Sequence, residues 1–166
     1  RDLHSFPTRR SSDLWINSRF GTDYSEADLN EIKNFTLLWN IYENIIFNTH
    51  FSVNQLDNEI NSRNLDFQQF RSCFNYYQNR YVENNMINQR FSHLNFRQND
   101  REQLVRDVLL GVVDTDNDKI LSIGIIVYRL RNNLFHGVKD YRNLNGQVDN
   151  FIHANIFIQQ FLRFNN

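Results

Sequence analysis

The chain has 166 residues, of which 40% are hydrophobic and 22% charged, and its net charge is -1. This length suffices for one domain with its own core, and the composition excludes a disordered chain. The balanced charge excludes a basic field over the whole molecule that would attract nucleic acid. With only 5 Gly and 1 Pro, the chain lacks the turn residues that an all-β fold requires. We therefore expect a soluble, all-α helical bundle.

Residues 1-14 read RDLHSFPTRRSSDL and differ from the rest of the chain, because they contain its only Pro and no Asn. They resemble a translated sequencing adapter at the end of an open reading frame from environmental DNA. A targeting peptide is the alternative, but the segment has no apolar core, which excludes a secretory signal. We expect residues 1-14 to be non-native and the domain to span 15-166, so that the natural segment before Trp15 is missing.

Three helices are predicted in the first half of the domain. Ser25 followed by Asp28 is close to a capping box, and apolar residues recur at helical spacing from there to about Thr49. A second, short helix is predicted over about 52-61. A third helix, with an aromatic stripe, is predicted over about 66-94.

Three further helices are predicted in the second half, which gives a bundle of about five to six helices with short connections. Gly137 stands where a left-handed C-cap is expected. The predicted elements are a connector over 95-100, a helix over 101-113, a turn over 114-118, a helix from near 118 to 135, a loop over 139-147 and a helix over 148-163.

No metal site or cofactor is predicted. The acidic run 114-118 resembles the start of a calcium loop, but the positions that require Gly and Glu are Lys119 and Ile125. We expect these acids to cap the following helix instead, where negative charge suits the helix dipole. Four histidines stand apart from any metal-ligand spacing and are expected to be capping or surface residues: His4, His50, His93 and His153.

A reducing, cytoplasmic compartment is consistent with the single cysteine. Cys73 stands in an aromatic segment and is expected to be a small core residue, because one cysteine forms neither an internal disulfide nor a zinc cluster. The longest apolar run, about 120-130, is shorter than the ~20 residues that span a bilayer. We therefore expect no membrane partner.

The most informative stretch is Tyr-Arg-Leu-Arg-Asn-Asn-Leu-Phe-His-Gly, residues 128-137. On a helix, Arg131, Asn132, Phe135 and His136 fall on one stripe. Arginine can grip a phosphate in two-point fashion, and histidine can exchange a proton with a 2'-hydroxyl or a leaving oxygen. The alternative is a solvated helix end, where Arg and His bind the last carbonyls.

The string Arg131-Asn132-x-x-x-His136 resembles the R-x4-6-H motif of HEPN domains, including the polar residue directly after the Arg. The extended string Arg-Asn-Asn-Leu-Phe-His-Gly is similar to that of many bacterial HEPN proteins. The downstream segment 146-155 resembles the helix that follows the motif in this family. The resemblance spans residues 15-166 and implies a small helical bundle that forms a homodimer.

In this family the active members are metal-independent endoribonucleases with a composite site at the dimer interface. The resemblance implies that His136 transfers a proton during 2'-hydroxyl attack, that Arg131 binds the scissile phosphate, and that Asn132 orients the substrate or His136. It implies RNA as the substrate, 2',3'-cyclic phosphate and 5'-hydroxyl ends as products, and an antitoxin or sensor protein as a further partner.

Glu43 is expected to support the site. It lies beside an apolar stripe of the first helix, where a carboxylate requires a partner, and we expect it to pair with Arg131 or His136. The alternative is a solvated carboxylate. The sequence departs from nucleotidyltransferase-controlled members of the family, because Val138 stands where they carry Tyr. Regulation by tyrosine modification is therefore not predicted.

Two other functions remain open at this stage. The first is a HEPN domain without catalysis, which binds RNA or a nucleotide or serves for dimerisation. The first remains open because a family can keep the residues and lose the chemistry. The second is an unrelated helical scaffold in which the motif is a coincidence. Arg131 and His136 together in an open cleft that a second protomer can complete would favour the ribonuclease, and burial of either residue in a closed core contact would favour the domain without catalysis.

Overall fold

A computed structural model describes residues 12-136 and 144-164 of the chain. Within these ranges the fold is an all-α bundle, as predicted, with eight α-helices rather than five or six. The helices are α1 (Ser12–Phe20), α2 (Glu26–Phe47), α3 (Val53–Ser62), α4 (Arg71–Tyr81), α5 (Gln89–Ser92), α6 (Glu102–Leu109), α7 (Asp116–Phe135) and α8 (Val148–Arg163). Single 3-10 turns at Phe67–Gln69 and Asn145–Gln147 precede α4 and α8.

Helix α7 is the centre of the bundle. It is apolar on several faces and packs against α3, α4, α6 and α8, while α2 packs mainly against α8. A helix that is hydrophobic on all sides is one that the core surrounds. Its buried residues run without a break from Ile120 to Val127. The motif residues at the end of α7 therefore stand on a rigid support.

Gly124 allows α3 and α8 to approach α7 closely. A Cβ atom at this position would lie 2.6 Å from Leu56 Cδ2 and 3.2 Å from Phe157 Cζ. Both neighbours are fully buried, so the space that a side chain would need is already filled. Glycine thus sets the helix spacing at this point of the core.

The predicted start of α2 is confirmed. Asp28 N–H donates to Ser25 Oγ at 3.0 Å, and Ser25 N–H donates to an Asp28 carboxylate oxygen at 3.3 Å. This reciprocal pair satisfies two of the free N–H groups at the helix start. The helix ends at Phe47, because Asn48 and Thr49 both adopt left-handed conformations, with φ of 49° and 69°.

The prediction of one long helix over 66-94 is wrong beyond Tyr81. The chain forms a short antiparallel hairpin of β1 (Val82–Glu83) and β2 (Met86–Ile87) before α5. Asn84 and Asn85 have φ of 51° and 59°. Two successive left-handed residues make the tight turn that joins twisted strands, and asparagine tolerates this conformation better than most residues.

Two other boundaries differ from the prediction. Helix α6 ends at Leu109 rather than Val113, and Gly111 has a φ of 74°. Helix α7 begins at Asp116, because Thr115 Oγ1 accepts the N–H of Asp118 at 3.1 Å. Asp116 and Asp118 thus stand in the first turn of α7, Asp114 precedes the helix, and a threonine provides the cap. The helices predicted over 52-61 and 148-163 are confirmed, the latter at both ends.

Helix α1 was not predicted. It crosses the expected boundary between residues 14 and 15, and Asn17 fixes the turn that follows it through two hydrogen bonds of 2.8 Å with the backbone of Tyr24. The expectations for residues 1-11, for the cap at Gly137 and for the loop up to residue 143 concern positions outside the described ranges.

Candidate functional site

A groove lies between α2 and the end of α7 and has a volume of about 580 Å³. We call it the α2–α7 groove. Polar and apolar side chains both line it, including Lys33, Leu37, Trp39, Glu43, Arg131 and Phe135. The two site residues predicted on different helices, Glu43 and Arg131, therefore face the same open space.

Arg131 and Glu43 form an ion pair, which is one of the two pairings that were expected for Glu43. The Arg131 guanidinium lies 3.7 Å from Glu43 Oε2, and the two side chains are 28% and 23% exposed. Trp39 Nε1–H donates to the same carboxylate oxygen at 3.0 Å. Because Glu43 is held by a residue one turn earlier in α2, it presents a fixed negative charge to Arg131.

Two aromatic rings hold the Arg131 guanidinium from the sides. Its central carbon lies 5.7 Å from the Trp39 ring centre and 5.2 Å from the Phe135 ring centre. Both distances are within the range of cation–π attraction. Arg131 Nε is buried and makes no hydrogen bond with the described residues. The arginine is thus oriented by its surroundings and keeps donor capacity.

Asn132 supports Arg131. Its side chain is buried, and its Oδ1 accepts a hydrogen bond from Arg131 Nη1 at 3.0 Å. Its Nδ2 has no partner among the described residues. The sequence led us to expect Asn132 to orient the substrate or His136, whereas the observed side-chain bond orients the arginine.

His136 stands at the C-cap of α7 and is exposed. Its backbone N–H donates to Asn132 O at 3.0 Å. Phe135 and Arg131 share the groove, but His136 is not among the described residues that line it. One protomer therefore brings Arg131, Glu43 and Asn132 together and leaves the imidazole at the adjacent helix end.

Sequence reasoning missed a buried polar cluster that begins two positions before Arg131. Arg129 is 3% exposed at its side chain and lies 2.9 Å from Asp100 Oδ2. It also donates to the carbonyls of Leu94, at 3.0 Å, and of Asn95. Burial lowers the pKa of Arg129, while the Asp100 charge opposes this shift. An arginine in an apolar, buried helix was the available signal, because a buried charge requires partners.

Asn133 completes this cluster, since its Nδ2 donates to the carbonyls of His93 and Leu94 at 2.9 and 3.1 Å. Residues 93-95 are therefore tied to α7 through consecutive turns of the helix. Arg131 and Asn133, two positions apart on α7, therefore point in different directions: Arg131 faces the groove and Asn133 faces the core.

The other described histidines either pack against the fold or are exposed to solvent. His153 stacks on Tyr76 with ring centres 3.9 Å apart, and burial lowers the pKa of this histidine. His50 Nδ1 lies 2.9 Å from Asn48 O at the end of α2. His93 is exposed, and His4 lies outside the described ranges.

Within the described ranges, His, Cys, Asp and Glu side chains form no group of three that could hold a metal ion. None of the described helices combines the length and the apolar character needed to cross a bilayer. No protein-family profile matches the chain, and neither a curated protein nor a solved structure is significantly similar to it.

Proposed function

We propose that this protein is a metal-independent endoribonuclease of the HEPN type. The observation that carries the proposal is the placement of Arg131, oriented by Glu43 and two aromatic rings, in an open groove next to the exposed His136. Together with the motif string of residues 131-137, this arrangement supplies a phosphate ligand and a titratable group on adjoining turns of one helix.

In the proposed reaction the RNA supplies its own nucleophile. The 2'-oxygen attacks the adjacent phosphorus, and the bond from phosphorus to the 5'-oxygen of the next nucleotide breaks. His136 accepts the 2'-hydroxyl proton, and the imidazolium then donates a proton to the leaving 5'-oxygen. Arg131 binds the phosphate and stabilises the charge that develops on it. Glu43 and Asn132 keep the Arg131 fork in position.

A second copy of the chain completes the proposed site. Two large apolar side chains that line the groove are exposed, Leu37 at 62% and Phe135 at 50%. A two-fold axis through this surface would bury them and would bring the His136 and Arg131 of two protomers together.

We further propose that the enzyme acts in the cytoplasm in phage defence, a toxin–antitoxin pair or a stress response. A protein antitoxin or sensor would then control it. This assignment rests on the resemblance to HEPN ribonucleases, because the residues of the groove do not identify a trigger.

A HEPN module without catalysis is the second candidate, and one observation favours it. Glu43 neutralises Arg131 at 3.7 Å, and His136 is outside the groove of a single protomer. Such an arrangement would suit a module that binds RNA or a nucleotide, or that serves for dimerisation.

The direct test is RNA cleavage by the purified chain in the presence of EDTA. His136→Ala and Arg131→Ala are the site variants, and His50→Ala, which also removes an exposed histidine, is the matched control. We expect the parent and His50→Ala to cleave equally and both site variants to lose about 100-fold or more of the rate. Proton transfer by His136 and charge stabilisation by Arg131 each contribute about that factor.

Absence of cleavage by the parent across single-stranded, structured and transfer RNAs, with binding retained, would favour the non-catalytic module. Equal rates for the parent and His136→Ala would exclude the proposed site. The presence of EDTA separates this chemistry from that of a metal-dependent nuclease, because such a nuclease is inactive when EDTA removes its metal.

A further inference from the structure

A second cleft lies on another side of α7, with Leu130 among the residues that line it and a volume of about 260 Å³. It is separate from the α2–α7 groove, because the two share no lining residue. The end of α4 supplies Arg80, α5 supplies Arg90, His93 follows α5, and Gly146 precedes α8. We call it the Arg80–Arg90 cleft.

The charge of this cleft is one-sided. Two arginines and a histidine line it, and none of its described lining residues is acidic. The chain as a whole has 18 basic and 19 acidic residues. The positive charge of this cleft is therefore not explained by an excess of basic residues in the chain. The potential inside a concave surface lined by one sign of charge attracts the opposite charge.

The hairpin brings the two arginines together. A continuous helix would separate residues 80 and 90 by about 15 Å along its axis. Instead the chain reverses at Asn84 and Asn85, and Asn88 closes the reversal by donating its N–H to Tyr81 O and its Nδ2 to Arg80 O, both at 2.9 Å. Arg90 follows directly and therefore returns to the level of Arg80.

Arg80 is held in place before any ligand binds. Its guanidinium donates to Tyr76 Oη at 3.3 Å and to Gly146 O at 3.2 Å. Its Nε is buried and has no partner in the described part of the chain. A fixed guanidinium with an unused N–H loses little entropy on binding and is stabilised by an acceptor.

Arg90 supplies a second, free cation. Its side chain is exposed and makes no hydrogen bond or ion pair with the described residues. An arginine fork that can swing over a cleft is suited to two oxygens of one phosphate. A phosphate monoester has three terminal oxygens and carries more negative charge than a carboxylate, so it can bind both arginines at once.

We propose that the Arg80–Arg90 cleft binds a phosphate group. Arg80 contacts it from the wall next to Gly146, and Arg90 closes over it. The phosphate belongs either to a free nucleotide or to the backbone of a nucleic-acid strand, and the test below distinguishes these sources. This site is independent of the ribonuclease proposal, since it uses none of Glu43, Arg131, Asn132 or His136.

The test is a nuclear magnetic resonance titration of the full 15N-labelled chain at constant ionic strength. The probes are inorganic phosphate, uridine 5'-monophosphate and thymidylyl-thymidine, which has one phosphodiester and no 2'-hydroxyl to be cleaved. Acetate is the control anion. We expect the Arg80 Nε–H resonance to shift on phosphate addition and to remain unchanged with acetate.

Arg90→Gln should weaken phosphate binding about tenfold, because it removes one charge-assisted hydrogen-bonding group. Arg71→Gln is the matched control. It removes an exposed arginine at the start of α4, the helix that carries Arg80 near its end, and the two positions are about 13 Å apart along the axis. We expect Arg71→Gln to bind phosphate within about twofold of the parent.

The pattern over the probes identifies the source. Binding of phosphate and the mononucleotide, but not of the dinucleotide, supports a free phosphate monoester as the ligand. Binding of the dinucleotide supports a strand backbone. No shift with any probe, equal shifts with acetate, or equal weakening by Arg90→Gln and Arg71→Gln would overturn the proposal. None of these outcomes depends on RNA cleavage.

Discussion

At the scale of single residues, the surroundings of each polar group decide whether it can take part in chemistry. Arg131 is about a quarter exposed and faces a groove, whereas Arg129, two positions earlier, is 3% exposed and bound on several sides. Both are arginines of one helix. The sequence alone does not separate them, because the partners of Arg129 lie about thirty positions away in the chain.

Cys73 illustrates the opposite case, a reactive residue type that the fold makes inert. It is fully buried, its thiol donates to His153 O at 3.4 Å, and burial raises its pKa to about 11. Only the thiolate reacts with alkylating reagents. We therefore expect iodoacetamide to leave Cys73 unmodified in the folded chain at pH 7.5 and to label it in urea. Rapid labelling of the folded chain would show that Cys73 is accessible.

At the scale of elements, the local signals of helix ends were readable from the sequence. The Ser25 cap and the bounds of α8 followed from short-range spacing. The hairpin at 82-87 was missed because the aromatic pattern continues through it, while the left-handed preference of Asn84 and Asn85 determines the backbone. The pair of Glu43 and Arg131 was predictable because a carboxylate beside an apolar stripe requires a partner.

The segment 93-100 is held on α7 by the pair of Asp100 and Arg129. Asp100→Ala should lower the free energy of unfolding by about 3 kcal/mol, because it leaves a buried guanidinium without its counter-ion. The control is Asp114→Ala, which removes the exposed partner of Lys119 and should cost less than about 1 kcal/mol. Urea unfolding measures both, and equal values would show that the buried pair contributes no more than a surface pair.

The spacing of α3, α7 and α8 depends on Gly124. Gly124→Val should destabilise the fold by about 2 kcal/mol, since its side chain would overlap Leu56 and Phe157 in a filled core. Gly146→Ala is the control, because a Cβ there meets nothing within 4 Å. Thermal unfolding should place Gly146→Ala near the parent. A Gly124→Val variant as stable as the parent would mean that the helices can separate without cost.

At the scale of the whole molecule, a single protomer offers the α2–α7 groove but leaves His136 beside it. The proposed dimer accounts for this, and it covers the exposed Leu37 of α2. Leu37→Asp should shift the chain from dimer to monomer in analytical ultracentrifugation, because a charge in a desolvated interface is costly. Val112→Asp is the control, since Val112 is 73% exposed, follows the end of α6 and does not line the groove.

A parent chain that is monomeric at every concentration would contradict the composite site. A dimer that Leu37→Asp and Val112→Asp disturb to the same extent would place the interface elsewhere. In either case the group that transfers protons beside Arg131 could not be the His136 of a second protomer bound at this surface.

The measurement that tests the central claim most directly is the chemistry of the RNA ends that the parent chain produces in EDTA. Attack by the 2'-hydroxyl predicts 2',3'-cyclic phosphate and 5'-hydroxyl ends, which His136→Ala should no longer produce. Fragments with 5'-phosphate ends, or cyclic ends formed equally by His136→Ala, would contradict the account.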